Sequence, residues 1–300
     1  MAMNAAAQEI ELGSPARVAF LDGQGELPML EVTTAWGAVE MYFQGAHVTR
    51  FQKRHEPPML FMSQCSRFTE GQPIRGGIPL IFPWFGSREG MSQHGFARNK
   101  TWNLKEVLPL KDGAVSLRFQ FPDCPEASTF PPFSAEYLVT VSDVLELSLT
   151  LVNKSAEESL TFENCLHTYF DVGDVTTISV SGLKGLDYLD KVSNFVRKTE
   201  ANEAIRFGSE VDRIYLDATG PVEILDPRIG RRIRVEKQGS ASTVIWNPWV
   251  IKAQQMPDFG NEEYSRMVCV ESGNVGPNEL TIKPGESSSL KVKISSERLA

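Results

Sequence analysis

Cysteine is scarce in this chain of 300 residues, and the four cysteines are spread singly as Cys65, Cys124, Cys165 and Cys269. The absence of a Cys-x-x-Cys pair removes the common signature of a zinc site or a redox dithiol. The spacing is also unlike the disulfide framework of a small secreted protein. We therefore expect free thiols, buried or half-buried, in a reducing cytosol.

Long apolar runs and a surplus of basic residues are absent as well. No window approaches the roughly 18 apolar residues of a membrane span, and residues 1–10 lack the pattern of a secretory signal. The formal net charge is −8, from 30 basic and 38 acidic residues, which argues against nonspecific binding to nucleic acid or membranes. We expect a cytoplasmic protein that attracts any anionic ligand through a local basic cluster.

Amphipathic helices of a dozen residues are missing, whereas strand patterns are frequent. Apolar and polar residues alternate, as they do in half-buried strands, in residues 39–43, 115–121, 145–151, 178–180, 233–235 and 290–294. Turn-forming residues lie between these segments, so the sequence predicts an all-β, mostly antiparallel fold. No linker divides the chain. We expect one domain over residues 1–300, with 1–16 as a loosely ordered N-terminal extension.

Motifs of several enzyme classes are also missing. The four histidines, at positions 47, 55, 94 and 167, show no spacing typical of a metal site. A site assembled from three ligands on distant strands remains an open alternative. The chain has no Gly-x-Ser-x-Gly elbow and no phosphate-binding P-loop. We therefore predict no metal.

Two neighbouring segments concentrate residues that suit a polar ligand. Residues 75–86 read Arg-Gly-Gly-Ile-Pro-Leu-Ile-Phe-Pro-Trp-Phe-Gly, and residues 94–98 read His-Gly-Phe-Ala-Arg. Neither segment has the period of a helix or a strand. A guanidinium beside glycines allows close approach to a small anionic or polyhydroxylated molecule. Arg75 and Arg98 therefore indicate a ligand that carries a phosphate or carboxylate.

Residues 162–170 form a second candidate segment. If the segment is extended, Glu163, Cys165, His167 and Tyr169 share one face, and the apolar residues 162, 166 and 170 occupy the other. A single histidine on a strand is more often structural. Its position beside a glutamate and a tyrosine strengthens the alternative of a catalytic role.

A third candidate is Glu271, in the segment 267–273. Val268 and Val270 face one way, whereas Cys269 and Glu271 face the other. We interpret Glu271 as the end of an apolar strand that meets a loop, where site residues are common. A solvated strand end is the alternative.

Two shorter motifs are ambiguous. Asp212 and Arg213 are locally best interpreted as a surface ion pair. Trp246 and Trp249 either stack on a sugar or form a core pair at a turn, and the local sequence does not decide between these alternatives.

Six motifs occur in a recognisable order: Arg-Gly-Gly-Ile-Pro (75–79), Gln-His-Gly-Phe-Ala-Arg (93–98), Leu-His-Thr-Tyr-Phe (166–170), Asp-Arg-Ile-Tyr (212–215), Trp-Asn-Pro (246–248) and Cys-Val-Glu (269–271). In this order they resemble the hexose-6-phosphate mutarotases, or glucose-6-phosphate 1-epimerases, of the aldose 1-epimerase family. The resemblance spans about residues 19–294.

The resemblance implies an antiparallel β-supersandwich like galactose mutarotase, with the site on a concave sheet face. It implies that His167 is the general acid and Glu271 the general base. The residues that it implies for substrate binding are Arg75, Gln93, His94, Arg98 and Asp212.

The implied reaction interconverts the α and β anomers of glucose 6-phosphate, with other hexose 6-phosphates as further substrates. Ring opening needs a base at the C1 hydroxyl and an acid at the ring oxygen, and glutamate and histidine suit these roles near neutral pH. No cofactor is required. Arginine binds phosphate oxygens in a bidentate manner, so we expect a hexose 6-phosphate as the partner. We also expect a monomer.

Two alternatives remain at this point. One is an aldose 1-epimerase that acts on unphosphorylated sugars such as galactose. The other is a carbohydrate-binding or sensing module without activity, because a fold alone does not define a function.

Overall fold

The computed structural model describes residues 8–12 and 16–299. Over these residues the chain forms twenty-four β-strands, one α-helix and six short 3-10 turns. The strands in chain order are β1 (Gln8–Glu11), β2 (Arg17–Asp22), β3 (Pro28–Thr33), β4 (Gly37–Tyr42), β5 (His47–Lys53), β6 (Leu80–Ile81), β7 (Asn103–Pro109), β8 (Val115–Gln120), β9 (Phe133–Val141), β10 (Leu145–Asn153), β11 (Leu160–Phe162), β12 (Asn164–Leu166), β13 (Tyr169–Asp171), β14 (Ser179–Ser181), β15 (Asp187–Asp190), β16 (Val196–Thr199), β17 (Ala204–Ile205), β18 (Val211–Tyr215), β19 (Val222–Asp226), β20 (Arg231–Gln238), β21 (Ser242–Asn247), β22 (Met267–Asn274), β23 (Leu280–Ile282) and β24 (Ser287–Arg298).

The helical elements are short and few. The helix α1 is Trp249–Gln255, and the 3-10 turns are Gln24–Glu26, Ala97–Asn99, Pro125–Thr129, Lys191–Ser193, Glu263–Arg266 and Gly276–Asn278. Within the described ranges, no helix has the length and apolarity needed to cross a membrane. The prediction of an all-β fold is confirmed.

Three large sheets and one small one contain the strands. The first is the meander β1-β2-β3-β4-β5, and the second has the order β17-β14-β19-β20-β24-β10-β9-β8-β7. The third has the order β16-β15-β18-β21-β22-β12-β6, with β13 also paired to β22, and β11 pairs with β23. Each of the six alternating segments of the sequence overlaps one of the strands β4, β8, β10, β14, β20 and β24.

Alternation explains how the second sheet packs. Along β10 the residues Leu145, Leu147, Leu149 and Leu151 are buried, and the residues between them are partly or fully exposed. Successive side chains of a strand point to opposite faces, so one face of the sheet is apolar. Burying each such side chain stabilises the fold by about 1.5–3 kcal/mol.

One buried apolar cluster receives side chains from all three large sheets. Phe51 of the first sheet, Leu149 of the second and Val270 of the third are members of this cluster. The three sheets are therefore packed around shared apolar contacts.

The expected loose N-terminal extension includes a regular element. Strand β1 pairs antiparallel with β2, and Ile10 lies opposite Val18. Residues 1–7 and 13–15 of that extension lie outside the described residues.

His47, at the start of β5, holds the glycine pair that follows Arg75. Its Nε2–H donates a hydrogen bond of 2.8 Å to the carbonyl oxygen of Gly76. Gly77 has φ of +61°, and a Cβ atom there would lie 2.3 Å from the carbonyl oxygen of Val48, so only glycine fits this close approach. Burial, and to a smaller extent the charge of Arg98, lowers the pKa of His47 to about 4.

His47 should make stability depend on pH. Between its folded pKa of about 4 and the ordinary value of about 6.5, the unfolded chain binds the extra proton, so falling pH favours unfolding. His47→Gln keeps an N–H donor but does not titrate. The difference in unfolding free energy between the wild type and this variant should fall by about 2 kcal/mol from about pH 7 to about pH 4.5. Urea denaturation at both pH values measures it, and a difference independent of pH would contradict the assignment.

Candidate active site

The register of four antiparallel strands places candidate site residues in one row. Trp246 of β21 lies opposite Asp212 of β18 and opposite Cys269 of β22, and Cys269 lies opposite Tyr169 of β13. Residues directly opposite in antiparallel strands project from the same face of a sheet. Glu271 follows Cys269 by two positions and therefore belongs to the same face.

Glu271 lies inside β22, not at its end as the sequence indicated. It pairs with Val244, and its side chain is only 1% exposed. The alternative of a solvated strand end is therefore wrong. Val268 and Val270 belong to the large apolar cluster on the opposite side, as their alternation with Glu271 predicted.

His167 lies at a break between two short strands. β12 ends at Leu166 and β13 begins at Tyr169, and the backbone N–H of His167 donates to the carbonyl of Pro79 at 3.0 Å. The neighbouring residues Leu166 and Phe170 belong to the large apolar cluster. The break presents the imidazole on the polar face that the sequence predicted.

The imidazole of His167 contacts the carboxylate of Glu271. The distance from Nε2 to Oε1 is 3.3 Å, and both side chains are buried. The ring stacks on Tyr169 with a centroid distance of 4.7 Å, and Trp246 meets it edge-on at 6.1 Å. The thiol of Cys165 donates to Oε2 of Glu271 at 3.6 Å. Aromatic packing and this thiol therefore fix the orientation of both groups.

Burial shifts the two groups in opposite directions. It lowers the pKa of His167 well below the ordinary value, with further lowering by Arg75 and Arg98. Burial, followed by the charge of Asp212, raises the pKa of Glu271 well above the ordinary value. Burial therefore opposes the charged form of both the imidazole and the carboxylate.

Arg75 is matched by a carboxylate. Its Nε and Nη2 donate to Oδ2 of Asp258 at 3.2 and 3.0 Å, and its Nη1 donates to the hydroxyl of Tyr169 at 3.0 Å. The hydrogen bond to Tyr169 thus places Arg75 beside the row of site residues.

Arg98 has no such match. Arg98 is only 6% exposed, and its Nη2 donates a hydrogen bond to the backbone carbonyl of Gln93 at 2.7 Å. Among the described residues, no carboxylate lies within ion-pair distance and Nε has no hydrogen-bond partner. Burial, together with the charge of Arg75, lowers the pKa of Arg98 to about 10. A buried cation without a counter-ion is costly for the folded protein.

His94 is buried between Phe85 and His167. Its ring centroid lies 4.7 Å from that of Phe85 and 5.7 Å from that of His167. The backbone N–H of Gly86 donates to Nδ1 at 3.1 Å, so the proton of the neutral ring is on Nε2. Burial, then the charges of Arg98 and His167, lowers the pKa of His94 well below its ordinary value.

Gln93 differs from the other predicted binding residues because it is exposed. Its backbone carbonyl, rather than its side chain, contacts Arg98. Gln93 therefore lies beside Arg98 through its backbone, and its side chain is exposed.

Asp212 and Arg213 do not form the surface ion pair that the local sequence indicated. Asp212 is 5% exposed, and its Oδ2 lies 3.0 Å from Nζ of Lys191 and 3.7 Å from Nζ of Lys252. Arg213 pairs with Glu200 at 2.9 Å. Successive residues of β18 point to opposite faces, which separates the two side chains.

The two tryptophans also separate. Trp246 lies on the site face, whereas Trp249, at the start of α1, packs on Tyr264 with a centroid distance of 5.3 Å. The possibility of a core tryptophan pair is therefore wrong, and an aromatic surface beside the histidine remains.

Sequence reasoning missed two charged site residues, Lys191 and Asp258. Lys191 lies in the 3-10 turn after β15, and its Nζ is 5.5 Å from the ring centroid of Phe85 as well as 3.0 Å from Asp212. Asp258 follows α1 and binds Arg75 from 183 positions away. Neither residue belongs to a recognisable motif, because each acts only through its tertiary partner.

One trio of donor atoms has the proximity that a metal site needs. The candidate ligand atoms of His167, Cys269 and Glu271 lie within 4.8 Å of one another. Zinc binds the thiolate form of cysteine, yet burial and the charge of Glu271 raise the pKa of Cys269 well above the ordinary value. Without a metal ion, the thiol of Cys269 is therefore protonated near neutral pH.

Curated relatives are similar over most of the chain. A protein of Cenchrus ciliaris, provisionally named glucose-6-phosphate 1-epimerase, is 36% identical over 82% of this chain and 78% of its own length. A protein of Escherichia coli strain K12 with the same name is 33% identical over 86% of this chain and 87% of its own length.

Solved structures share the fold. A provisionally named mutarotase (YeaD) from Salmonella typhimurium has a TM-score of 0.87 at 27% identity, with 98% of this chain and 97% of that chain covered. A galactose mutarotase-like protein from Clostridium acetobutylicum has a TM-score of 0.69 at 16% identity, with coverage of 94% and 98%. The predicted galactose mutarotase-like fold is confirmed. The model of the family described as aldose 1-epimerase matches residues 29–295, and this chain belongs to that family.

Proposed function

We propose that this epimerase interconverts the α and β anomers of hexose 6-phosphates, with glucose 6-phosphate as the main substrate. The observation that carries the proposal is the buried pair of His167 and Glu271, at 3.3 Å, in the field of Arg98, a buried guanidinium without a carboxylate partner among the described residues. The pair supplies an acid and a base, and the guanidinium supplies a place for an anion. The names of the curated relatives support the same substrate.

In the proposed mechanism, Glu271 accepts the proton of the C1 hydroxyl while His167 donates a proton to the ring oxygen. The bond between C1 and the ring oxygen breaks, and a C1 carbonyl forms. Rotation about the C1–C2 bond turns the carbonyl. The hydroxyl formed from the ring oxygen then attacks the other face of C1 and returns its proton to His167. Glu271 returns the other proton to the C1 oxygen. No atom or electron is gained or lost.

We assign the phosphate to Arg98 and the sugar oxygens to Arg75. The charge of Arg75 is already matched by Asp258 at 3.0 Å, so its remaining role is hydrogen bonding. A phosphate at Arg98 would form charge-assisted hydrogen bonds with a cation that otherwise lacks a counter-ion. Substrate binding thereby offsets the electrostatic cost of burying Arg98.

The other predicted binding residues complete the site. Asp212 is suited to accept hydrogen bonds from sugar hydroxyls, and the neutral ring of His94 donates through Nε2. The exposed amide of Gln93 is available at the edge of the site. Trp246, beside His167 at 6.1 Å, offers an apolar surface to one face of the sugar.

Loss of either His167 or Glu271 should abolish most of the enzymatic acceleration of anomer exchange. Glu271→Gln removes the base and His167→Ala removes the acid, and each should lower kcat by about 10²–10⁴-fold. Exchange NMR between the anomers of glucose 6-phosphate measures the enzymatic rate above the spontaneous rate.

Glu106→Gln, on the exposed strand β7 of another sheet, is the matched control and should retain full activity. Circular dichroism and thermal unfolding establish that each variant is folded. Full activity in folded Glu271→Gln or His167→Ala would reject the assigned roles.

Arg98→Ala should separate recognition of phosphate from recognition of the sugar. Its kcat/KM for glucose 6-phosphate should fall by at least about 10²-fold, because a charge-assisted bidentate contact is lost. The preference for glucose 6-phosphate over glucose should largely disappear. Arg118→Ala, on the exposed face of β8, should change neither value.

The same comparison distinguishes the alternatives. An epimerase for unphosphorylated sugars would act on glucose or galactose as well as on glucose 6-phosphate, and Arg98→Ala would leave its preference unchanged. A binding module would bind the sugar phosphate without accelerating anomer exchange. Exchange at the spontaneous rate with wild-type protein would therefore reject the proposed function.

A further inference from the structure

One proton can be shared between Nε2 of His167 and the carboxylate of Glu271, and this gives the pair two arrangements. In one, the carboxyl is protonated and the imidazole is neutral. In the other, a carboxylate faces an imidazolium. The distance of 3.3 Å between Nε2 and Oε1 allows the proton to reside on either side. The proposed mechanism starts from the carboxylate and the imidazolium.

The charges around the pair favour the neutral arrangement. Three cations oppose a positive charge on His167: Arg75 from the loop after β5, Arg98 from the 3-10 turn after β6, and Lys191 from the turn after β15. His94 does so as well when it is protonated. Asp212, from β18, opposes a negative charge on Glu271, whereas Lys191 and the thiol of Cys165 favour that charge. The remaining neighbours of the imidazole, Tyr169 and Trp246, are neutral.

Among these cations, Arg98 is the one that lacks a carboxylate within the described residues. Arg75 is paired with Asp258 at 3.0 Å, and Lys191 is paired with Asp212 at 3.0 Å. Arg98 is 6% exposed and its Nε has no hydrogen-bond partner among the described residues. The positive charge of its guanidinium is therefore not compensated, and a bound anion would compensate it. That charge acts on His167 more than on Glu271, for which Arg98 is not among the main influences.

We propose that the anionic group of the substrate, when it binds Arg98, shifts the shared proton from Glu271 to His167 and so creates the acid and base that open the sugar ring. The inference rests on the proposed function and extends it, because the phosphate then contributes to the chemical step as well as to binding. An anion close to an imidazole favours its charged form. No covalent bond to the phosphate is made or broken.

The inference predicts that the phosphate can act without being attached to the sugar. Phosphite dianion, added together with glucose, should occupy Arg98 and accelerate enzymatic exchange of the glucose anomers by at least about tenfold, the effect of one unit in the pKa of His167. Exchange NMR at constant ionic strength measures the rate. Phosphite without enzyme, and phosphite with Glu271→Gln, give the rate of ordinary buffer catalysis to be subtracted.

Arg98→Gln should lose the response to phosphite, whereas Arg118→Gln, at the exposed position on β8, should keep it. Competition of phosphite with glucose 6-phosphate shows that phosphite occupies the site. Competition without any acceleration of glucose exchange would overturn the inference, as would the absence of competition.

Nitrogen NMR of protein with isotope-labelled histidine tests the proton shift directly. Near neutral pH, the signals of His167, assigned by their loss in His167→Gln, should have the neutral pattern in the free protein and the imidazolium pattern with phosphite. An imidazolium already present in the free protein, or a neutral ring with bound phosphite, would reject the inference.

The outcomes separate this inference from the function on which it rests. Exchange of glucose 6-phosphate anomers is measured first, and failure there rejects the proposed function. Normal turnover of glucose 6-phosphate with no response to phosphite rejects only the inference.

Discussion

The antiparallel register of the third sheet is the constraint on which the site depends. Trp246 can lie opposite both Asp212 and Cys269 only because β21 pairs with β18 and β22 at fixed positions. A shift of one residue would turn Glu271 into the apolar core and Val270 towards the site. The apolar cluster shared by the three large sheets opposes such a shift, so the packing of the core also fixes the position of the candidate base.

A second property of the site is its unbalanced charge. Arg75 and Lys191 each have a carboxylate partner, whereas Arg98 has none within the described part of the chain. The fold thus maintains a buried positive charge near the pair of His167 and Glu271. We interpret this imbalance as preparation for an anionic substrate, since the bound anion would supply the missing partner.

The local sequence pattern was sufficient to predict the strands and to assign the two faces of the segment around His167. Strict alternation, as in residues 145–151, reflects a backbone geometry that each strand imposes by itself. Local pattern failed where a residue's partner lies far along the chain. Asp212 and Arg213 are neighbours in sequence but face opposite ways, and Glu271 is enclosed by strands that the sequence could not place beside it.

The sequence by itself determined the type of fold, the polar face that carries His167 and the ordered motifs by which the chain resembles its family. Only the tertiary structure decided which charges are paired. Asp258 neutralises Arg75 across 183 positions, Lys191 reaches Asp212, and Arg98 is left without a carboxylate among the described residues. The physical reason is that alternation is a local property of the backbone, whereas an ion pair and its burial depend on how distant segments pack together.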